Sequence, residues 1–593
     1  MNVNTFGKLF SLQVDGQIDT QPLYVPNLSI QGKTRNVVYV ATQHNSVYAF
    51  DADDPAQVTP LWQVNLGTSV PSQDICTITG NPSDCPYKDT IPEIGIMSTP
   101  VINPNTGIMY VVAKTKNNSD NSYHFSLHAL DIKSGIEQLG GPTEITGQVS
   151  GSGAGSSGGV VAFVPLFHLQ RPGLLLLNSV VYIAFGSVGD IGIWHGWVMG
   201  YDTTTLQQTT IFNVTPNGTD GGIWQAGQGL VADNANNIYL MTGNGTFDAN
   251  VSGKDYGDSF LKMSTSSGLS VSDYFTPFNQ ASLFSSDFDL GSGGPLAIPG
   301  TSLLIGIGKD MLFRMVDSTN MGRFNPGFDN DVQQFTVSLD SYFGAPVYWN
   351  SPNNGPVVYV WGPQDFLKAY KFVGGQFQTT PVTQSTVQNS SGFTNSAPMS
   401  LSANGSLVGS GIVWSAASFS GVASGTPVPG IVRAFDATDL TNELWDSKQN
   451  AARDDVGNYA KFSPPTIANG KVYLATFSNQ LVVYGLLAAP DFTMVASALS
   501  PATVPAGGST TSTITIAPVN GFNGTVSLSC GVTPVVTRPP ACSVNPGSVA
   551  NGSGTSTLTI ATSATTPAGT SNVTVTGSSG SLTHSTSVSL TVN

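Results

Sequence analysis

The sequence predicts an all-β protein in two parts, a ring of repeated β-units followed by a β-sandwich. Three observations predict it. A strand motif recurs eight times before residue 487. Only 10% of the 593 residues are charged, against about 25% in an ordinary soluble domain, while Gly (66) and Pro (37) are abundant. Charge then almost vanishes after Pro490: only Asp491 and Arg538 follow, and they cancel, so the net charge of -15 belongs to the residues before it.

The motif is an apolar strand that ends in a small residue, an apolar residue and often Asp. Its copies are Val47–Asp51, Leu127–Asp131, Val198–Asp202, Phe260–Ser264, Leu312–Met315, Leu367–Tyr370, Val432–Asp436 and Leu481–Tyr484. A second element, Pro followed by an apolar residue, precedes most of them: Pro22-Leu23, Pro100-Val101, Pro295-Leu296, Pro346-Val347, Pro398-Met399 and Pro465-Thr466. Degenerate versions stand at Arg171-Pro172-Gly173-Leu174 and Gln228-Gly229-Leu230. Pro suits the first residue of a strand, where no ladder donor is lost. Repetition with a period of tens of residues reads as a β-propeller over residues 1–487, eight-bladed, with a seven-bladed ring or two packed sandwiches as alternatives. The last unit, from Phe462, has three strands and no fourth. The N-terminal Leu9–Val14 matches the outermost strand of the first unit, Leu61–Leu66, and is expected to complete the last blade.

Residues 488–593 alternate apolar and polar positions in short runs, as in Thr513-Ile514-Thr515-Ile516 and Val573-Thr574-Val575. Such alternation marks half-buried strands and suits a sandwich. The four cysteines fall in two local pairs, Cys76 with Cys85 and Cys530 with Cys542. An even count without metal-type spacing predicts two disulfides and an oxidising compartment, with the second bridge stapling one loop. No apolar run reaches the roughly 18 residues of a membrane helix; Leu174–Phe185 reads as two strands. The chain begins without an export segment, so an extracellular or cell-surface protein with a missing native N-terminus is expected. An acidic chain excludes nucleic acid as a partner. A monomer is expected.

The repeat, best seen in Val47–Leu66 and Val432–Trp445, resembles that of quinoprotein alcohol dehydrogenases. Residues 6–487 more closely resemble secreted bacterial and fungal pyrroloquinoline-quinone-repeat propellers. The carrying stretches are Gly7–Leu12, Glu93–Pro100, Gln170–Leu174, Gly221–Gln225, Gly243–Asp248 and Leu290–Gly294. Residues 491–593 resemble bacterial immunoglobulin-like modules, especially those of acidobacteria, through Asn520–Cys530, Ala541–Pro546 and Thr566–Thr570. The first resemblance implies a flat quinone with three carboxylates stacked on Trp, paired with Arg or Lys, with Ca²⁺ held by oxygens and an Asp as base. On that basis Glu93, Lys114, Arg171, Trp224, Asp289 and Lys309 are the candidate cofactor residues. Asp258 is the candidate catalytic acid–base, and Glu93, Asp258 and Asp289 could offer metal oxygens. The adjacent cysteine pair found over the ring in many such enzymes is absent, which departs from the pattern.

From the residues alone, His195 in Ile193-Trp194-His195-Gly196-Trp197 is the histidine best placed as a general base. Asp248 and Asp255 form a weak candidate Ca²⁺ loop. HExxH, GxSxG and Walker patterns are lacking, which leaves zinc protease, α/β-hydrolase and nucleotidase readings without support. Trp194, Trp197, Trp349 and Trp361 are candidate sugar-stacking aromatics. Two functions are thus expected in order. The first is a non-catalytic propeller that binds an extracellular protein or polysaccharide, with the sandwich as spacer. The second is a quinone- and calcium-dependent alcohol or sugar dehydrogenase.

Overall fold

The computed structural model describes residues 2–79, 88–389 and 396–593, with main chain only for 76–79 and 88. The expected Cys76–Cys85 bridge lies outside the described residues. The chain is all-β and divides into two compact units, Met1–Leu486 and Leu487–Asn593. Among the described residues no helix is long and apolar enough to cross a membrane.

Among the described residues the first unit contains eight antiparallel sheets of four or five strands, besides two small ribbons. The first sheet runs Leu23–Ile30, Lys33–Ala41, Ser46–Asp51 and Trp62–Asn65, each strand paired with the next. All eight motif copies fall in corresponding strands, from Ser46–Asp51 in the first sheet to Gln480–Leu486 in the last. The reason is burial. Ser46–Asp51 is buried along its whole length, whereas the outer Trp62–Asn65 alternates buried and exposed. A strand covered on both faces reads as a continuous apolar run, and that run is the recognisable part of each unit. The six Pro-apolar elements each open an edge strand in six of the eight sheets, such as Val101–Asn103 and Leu296–Ala297.

Neighbouring sheets share apolar side chains. Eight clusters each join two consecutive sheets. The last of them packs Leu12, Tyr473 and Leu481 of the eighth sheet on Val38 and Tyr48 of the first. Each fully buried side chain of this size contributes about 1.5–3 kcal/mol. A polar bond accompanies the apolar one at several seams. Tyr39 donates to the carbonyl of Ile132 (2.8 Å), Tyr110 to Thr203 (2.7 Å) and Tyr359 to Ala437 (2.6 Å), each reaching the next sheet. Tyr473 of the eighth sheet likewise donates to Ala52, just after the first sheet's third strand, at 3.3 Å. A buried phenol needs such a partner.

The N-terminal strand Phe6–Gln13 pairs antiparallel with Gln480–Leu486 and completes the eighth sheet. It is anchored at its start. The Lys8 amide donates to Asp454 (2.9 Å), and Arg453 donates to the carbonyls of Val3 (2.8 Å) and Phe6 (3.3 Å). A β-carbon at Gly7 would lie 2.6 Å from that guanidinium, so any larger residue there would displace the Arg453 side chain.

The second unit has two sheets around one core that includes Phe492, Ile514, Leu558, Val573 and Leu590. Ser509–Val519 alternates exposed and buried over most of its length, as the sequence pattern predicts. Cys530 and Cys542 are joined, with Cα atoms 6.1 Å apart. They do not staple a loop within one sheet. Cys530 lies in Val526–Thr533 and Cys542 in Ala541–Asn545, which belong to different sheets. The chain changes sheets in the short connection between these strands, so residues close in sequence face each other across the core.

Candidate functional site

The turns that lead into the first strands of several sheets meet around a cavity of about 210 Å³. A second cavity of about 270 Å³ adjoins it through Ala226, Phe343 and Phe462 and is lined by strand starts, including Pro100, Leu174 and Pro398. Loops on a rigid scaffold are where binding groups usually sit.

Four sequence-predicted residues line the first cavity: Arg171, Trp224, Asp289 and Lys309. The Trp224 indole is half-buried and tightly held. Its Nε1 donates to the carbonyl of Ser187 (3.2 Å), and its ring meets Trp194 edge-on at 5.4 Å. Glycines make room for it: β-carbons at Gly186, Gly222 and Gly243 would approach it to 2.5–2.7 Å. Lys309 is clamped between Asp287 (2.9 Å) and Asp289 (2.5 Å), and Asp289 also accepts the Asn244 amide (2.7 Å). Arg171 stacks over Phe462, 4.6 Å from the ring centroid, and contacts the buried Asp19 at 3.5 Å.

The cavity also takes residues that the sequence reading did not select: Asp89, Thr90, Asp190, Phe343, Lys461 and Phe462. Lys461 pairs with Asp89 at 2.9 Å. Asp190 accepts the Ser187 hydroxyl at 2.8 Å, and burial, with Asp289 nearby, pushes its carboxyl up to about 6. A usable signal existed for Lys461. It stands shortly before the Pro-apolar element of the last unit, as Arg171 stands before Pro172 and Asp289 before Pro295. Backbone strain concentrates at the same place. Asp190 (φ 57°), Ala226 (φ 47°) and Phe462 (φ 61°) are non-glycine residues in the left-handed region, which costs energy that the surrounding structure must supply.

The remaining candidates lie elsewhere. Glu93 sits in a short ribbon strand, bonded to His44 (3.0 Å) and to the Ser69 hydroxyl. Lys114 is fully buried and donates to the carbonyls of Leu166 (3.0 Å) and His168 (2.8 Å); burial pulls its ammonium down to about 7. His195 is buried, with Nδ1 on the Thr215 hydroxyl and Nε2 on the Ala154 carbonyl, both at 2.9 Å. Both ring nitrogens are engaged, so the ring anchors its loop, and burial lowers its proton affinity. Asp258 is buried and accepts from the Leu290 amide (3.1 Å) and Gln280 (3.3 Å); burial, with Asp289 nearby, raises its carboxyl well above its ordinary value. Asp248 and Asp255 accept main-chain amides, from Asp255 and Asn217 respectively. Trp194, Trp197, Trp349 and Trp361 are at most 8% exposed and are packing residues, which corrects their reading as stacking surfaces for sugars.

The donor set does not fit a tricarboxylate quinone with Ca²⁺. Lys309 and Lys461 already hold carboxylates at salt-bridge distance, and among the described residues no three His, Cys, Asp or Glu side chains gather to hold a metal. No step through such a cofactor is derived.

No family model matches the chain, and no curated protein matches it. Solved structures overlap it loosely. The β-propeller domain of the trilobed protease from Pyrococcus furiosus is 9% identical, over 78% of this chain and 93% of that one, with a TM-score of 0.24. The Pyrococcus horikoshii acylaminoacyl peptidase is 10% identical over 72% and 51%, with a TM-score of 0.24. Domains 4 and 5 of the S-layer protein SbsC are 18% identical over 22% and 69%, with a TM-score of 0.15.

Proposed function

We propose that the first unit is an eight-bladed propeller of the quinoprotein-like type, non-catalytic, whose cavity binds one sugar unit of an extracellular polysaccharide. The second unit is then an immunoglobulin-like spacer. The ring reading rests on the clusters that join every sheet to the next and the last to the first. The Cys530–Cys542 bridge supports an oxidising, extracellular setting.

One observation carries the ligand class. An indole packed against three glycines shares a small, partly open cavity with Ser187, Asp190, Asp289 and Ser292. A sugar has an apolar C–H face for the indole and hydroxyls that both donate and accept. The first cavity by itself is smaller than the roughly 300–1,000 Å³ of drug-sized ligand pockets, which suits a single sugar unit there.

Calorimetric titration of the full chain with neutral and acidic mono- and disaccharides tests this. At least one is expected to bind one-to-one, and Trp224→Ala to weaken it about 10-fold or more. Absence of binding by every sugar at millimolar concentration would overturn the reading. The quinone with Ca²⁺ serves as a control and is expected not to bind.

A further inference from the structure

We infer that the cavity's ligand carries one carboxylate, seated on Arg171 beside Lys461. This deepens the sugar reading and rests on it, and it names the sugar class as a uronic acid.

Arg171 is 7% exposed and its guanidinium faces the cavity. Two groups hold it without using its donors. Phe462 lies under its plane at 4.6 Å, and Asp19, sealed behind it, stands 3.5 Å from Nη1. No hydrogen bond ties this guanidinium to any described residue. Asp19 Oδ1 is itself left without a hydrogen-bond partner, so the pair is a contact of charges only. A guanidinium has five N–H donors in a planar fork. None of its nitrogens is sealed from solvent without a partner, so the donors open to the cavity are free to meet an acceptor there.

The other cations differ. Lys309 is spent on Asp287 and Asp289, and Lys461 on Asp89. One open fork calls for one planar anion, and a carboxylate meets it through two parallel bonds. A hydroxyl would leave most of the fork idle. Lys461 lines the cavity with Arg171, its charge met by Asp89. The Thr90 hydroxyl lines the same cavity, is 2% exposed and has no partner, so it can donate to the same anion.

The test uses the wild-type full chain and four probes in calorimetry: galacturonate, its methyl ester, galactose, and the ring-free carboxylate acetate. Galacturonate is expected to bind about 10- to 100-fold more tightly than the ester or galactose, the range of a hydrogen-bonded charge. Arg171→Lys, which keeps the charge and loses the fork, is expected to erase most of that preference. Equal binding of acid and ester overturns the carboxylate seat and leaves the sugar reading standing. Binding of acetate with no sugar bound overturns the sugar reading and supports the seat. Binding of none of the four overturns both. The ester comparison needs no variant, so misfolding of a substituted Arg171 cannot mask the result.

Discussion

The guanidinium of Arg171 stacks over the ring of Phe462, 4.6 Å from its centroid, and the two residues come from turns that lead into the third and eighth sheets. These sheets are not neighbours in the order of packing, so the contact reaches across the middle of the unit. Phe462 holds a left-handed backbone to make it. Removing the ring frees the guanidinium to fold back on Asp19. Phe462→Ala is expected to weaken acidic-ligand binding about 10-fold, while Phe462→Tyr retains it. Titration of both variants with galacturonate checks this.

The tyrosine bonds between sheets give a stability prediction. Tyr110→Phe and Tyr359→Phe each leave a buried carbonyl, of Thr203 and Ala437, without its phenol donor. Each is expected to cost about 1 kcal/mol, and the two to add, because they sit at separate seams. Urea denaturation of the single and double variants measures it. A gain in stability for either would contradict the role given to these bonds.

Asp190 gives a pH dependence of definite sign. Its folded carboxyl is raised to about 6, mainly because surrounding protein keeps water from it although the residue reaches the surface, with Asp289 adding to the shift and Ser187 and Lys309 opposing it. The folded state therefore binds the proton more tightly than the unfolded state. This favours folding at low pH, and the benefit is lost as pH rises from about 4 to about 6. Asp190→Asn removes that loss. Because Asp190 is itself solvent-exposed, water screens the effect, so the stability difference between variant and wild type is expected to grow in the variant's favour across this window by no more than about 1 kcal/mol, and then level off. Denaturation curves at pH 4, 5, 6 and 7 report it, and a flat difference would refute the assignment.

Reducing the Cys530–Cys542 bond removes the tie between the two sheets of the second unit. A loss of about 2–4 kcal/mol is expected, confined to that unit. Scanning calorimetry of the wild type against a Cys530→Ser, Cys542→Ser double variant should shift the transition assigned to Leu487–Asn593 and leave the other in place. If neither moves, the bridge is not a stabilising element.

The sheets were legible in the sequence because each has a strand buried on both faces. Val47–Asp51 and Val432–Asp436 read as apolar runs for that reason, and Pro22 or Pro398 punctuates the strand before. Outer strands such as Gln333–Thr336, with one face exposed, carried little signal. Closure by the N-terminal strand was legible because the last unit is one strand short. The site was legible in half. Arg171, Trp224, Asp289 and Lys309 stand near glycines and prolines that mark the right turns. Lys461 and Asp190 went unselected, since whether a lone charge faces a cavity or a neighbour depends on packing between distant turns. Lys114 and His195 misled for the same reason. Their types suit catalysis, but carbonyls and a hydroxyl that no local pattern reveals already satisfy them. Trp197 and Trp361 misled because a large aromatic in a loop-rich sequence looks the same whether it packs between sheets or faces solvent.

The most direct test of the central claim is a crystal structure of the full chain soaked with galacturonate. Density is expected for one ring against the Trp224 indole, with its carboxylate on the Arg171 fork beside Lys461 and Thr90. A ring bound elsewhere on the chain, or a ring on Trp224 with its carboxylate turned away from Arg171, would contradict it.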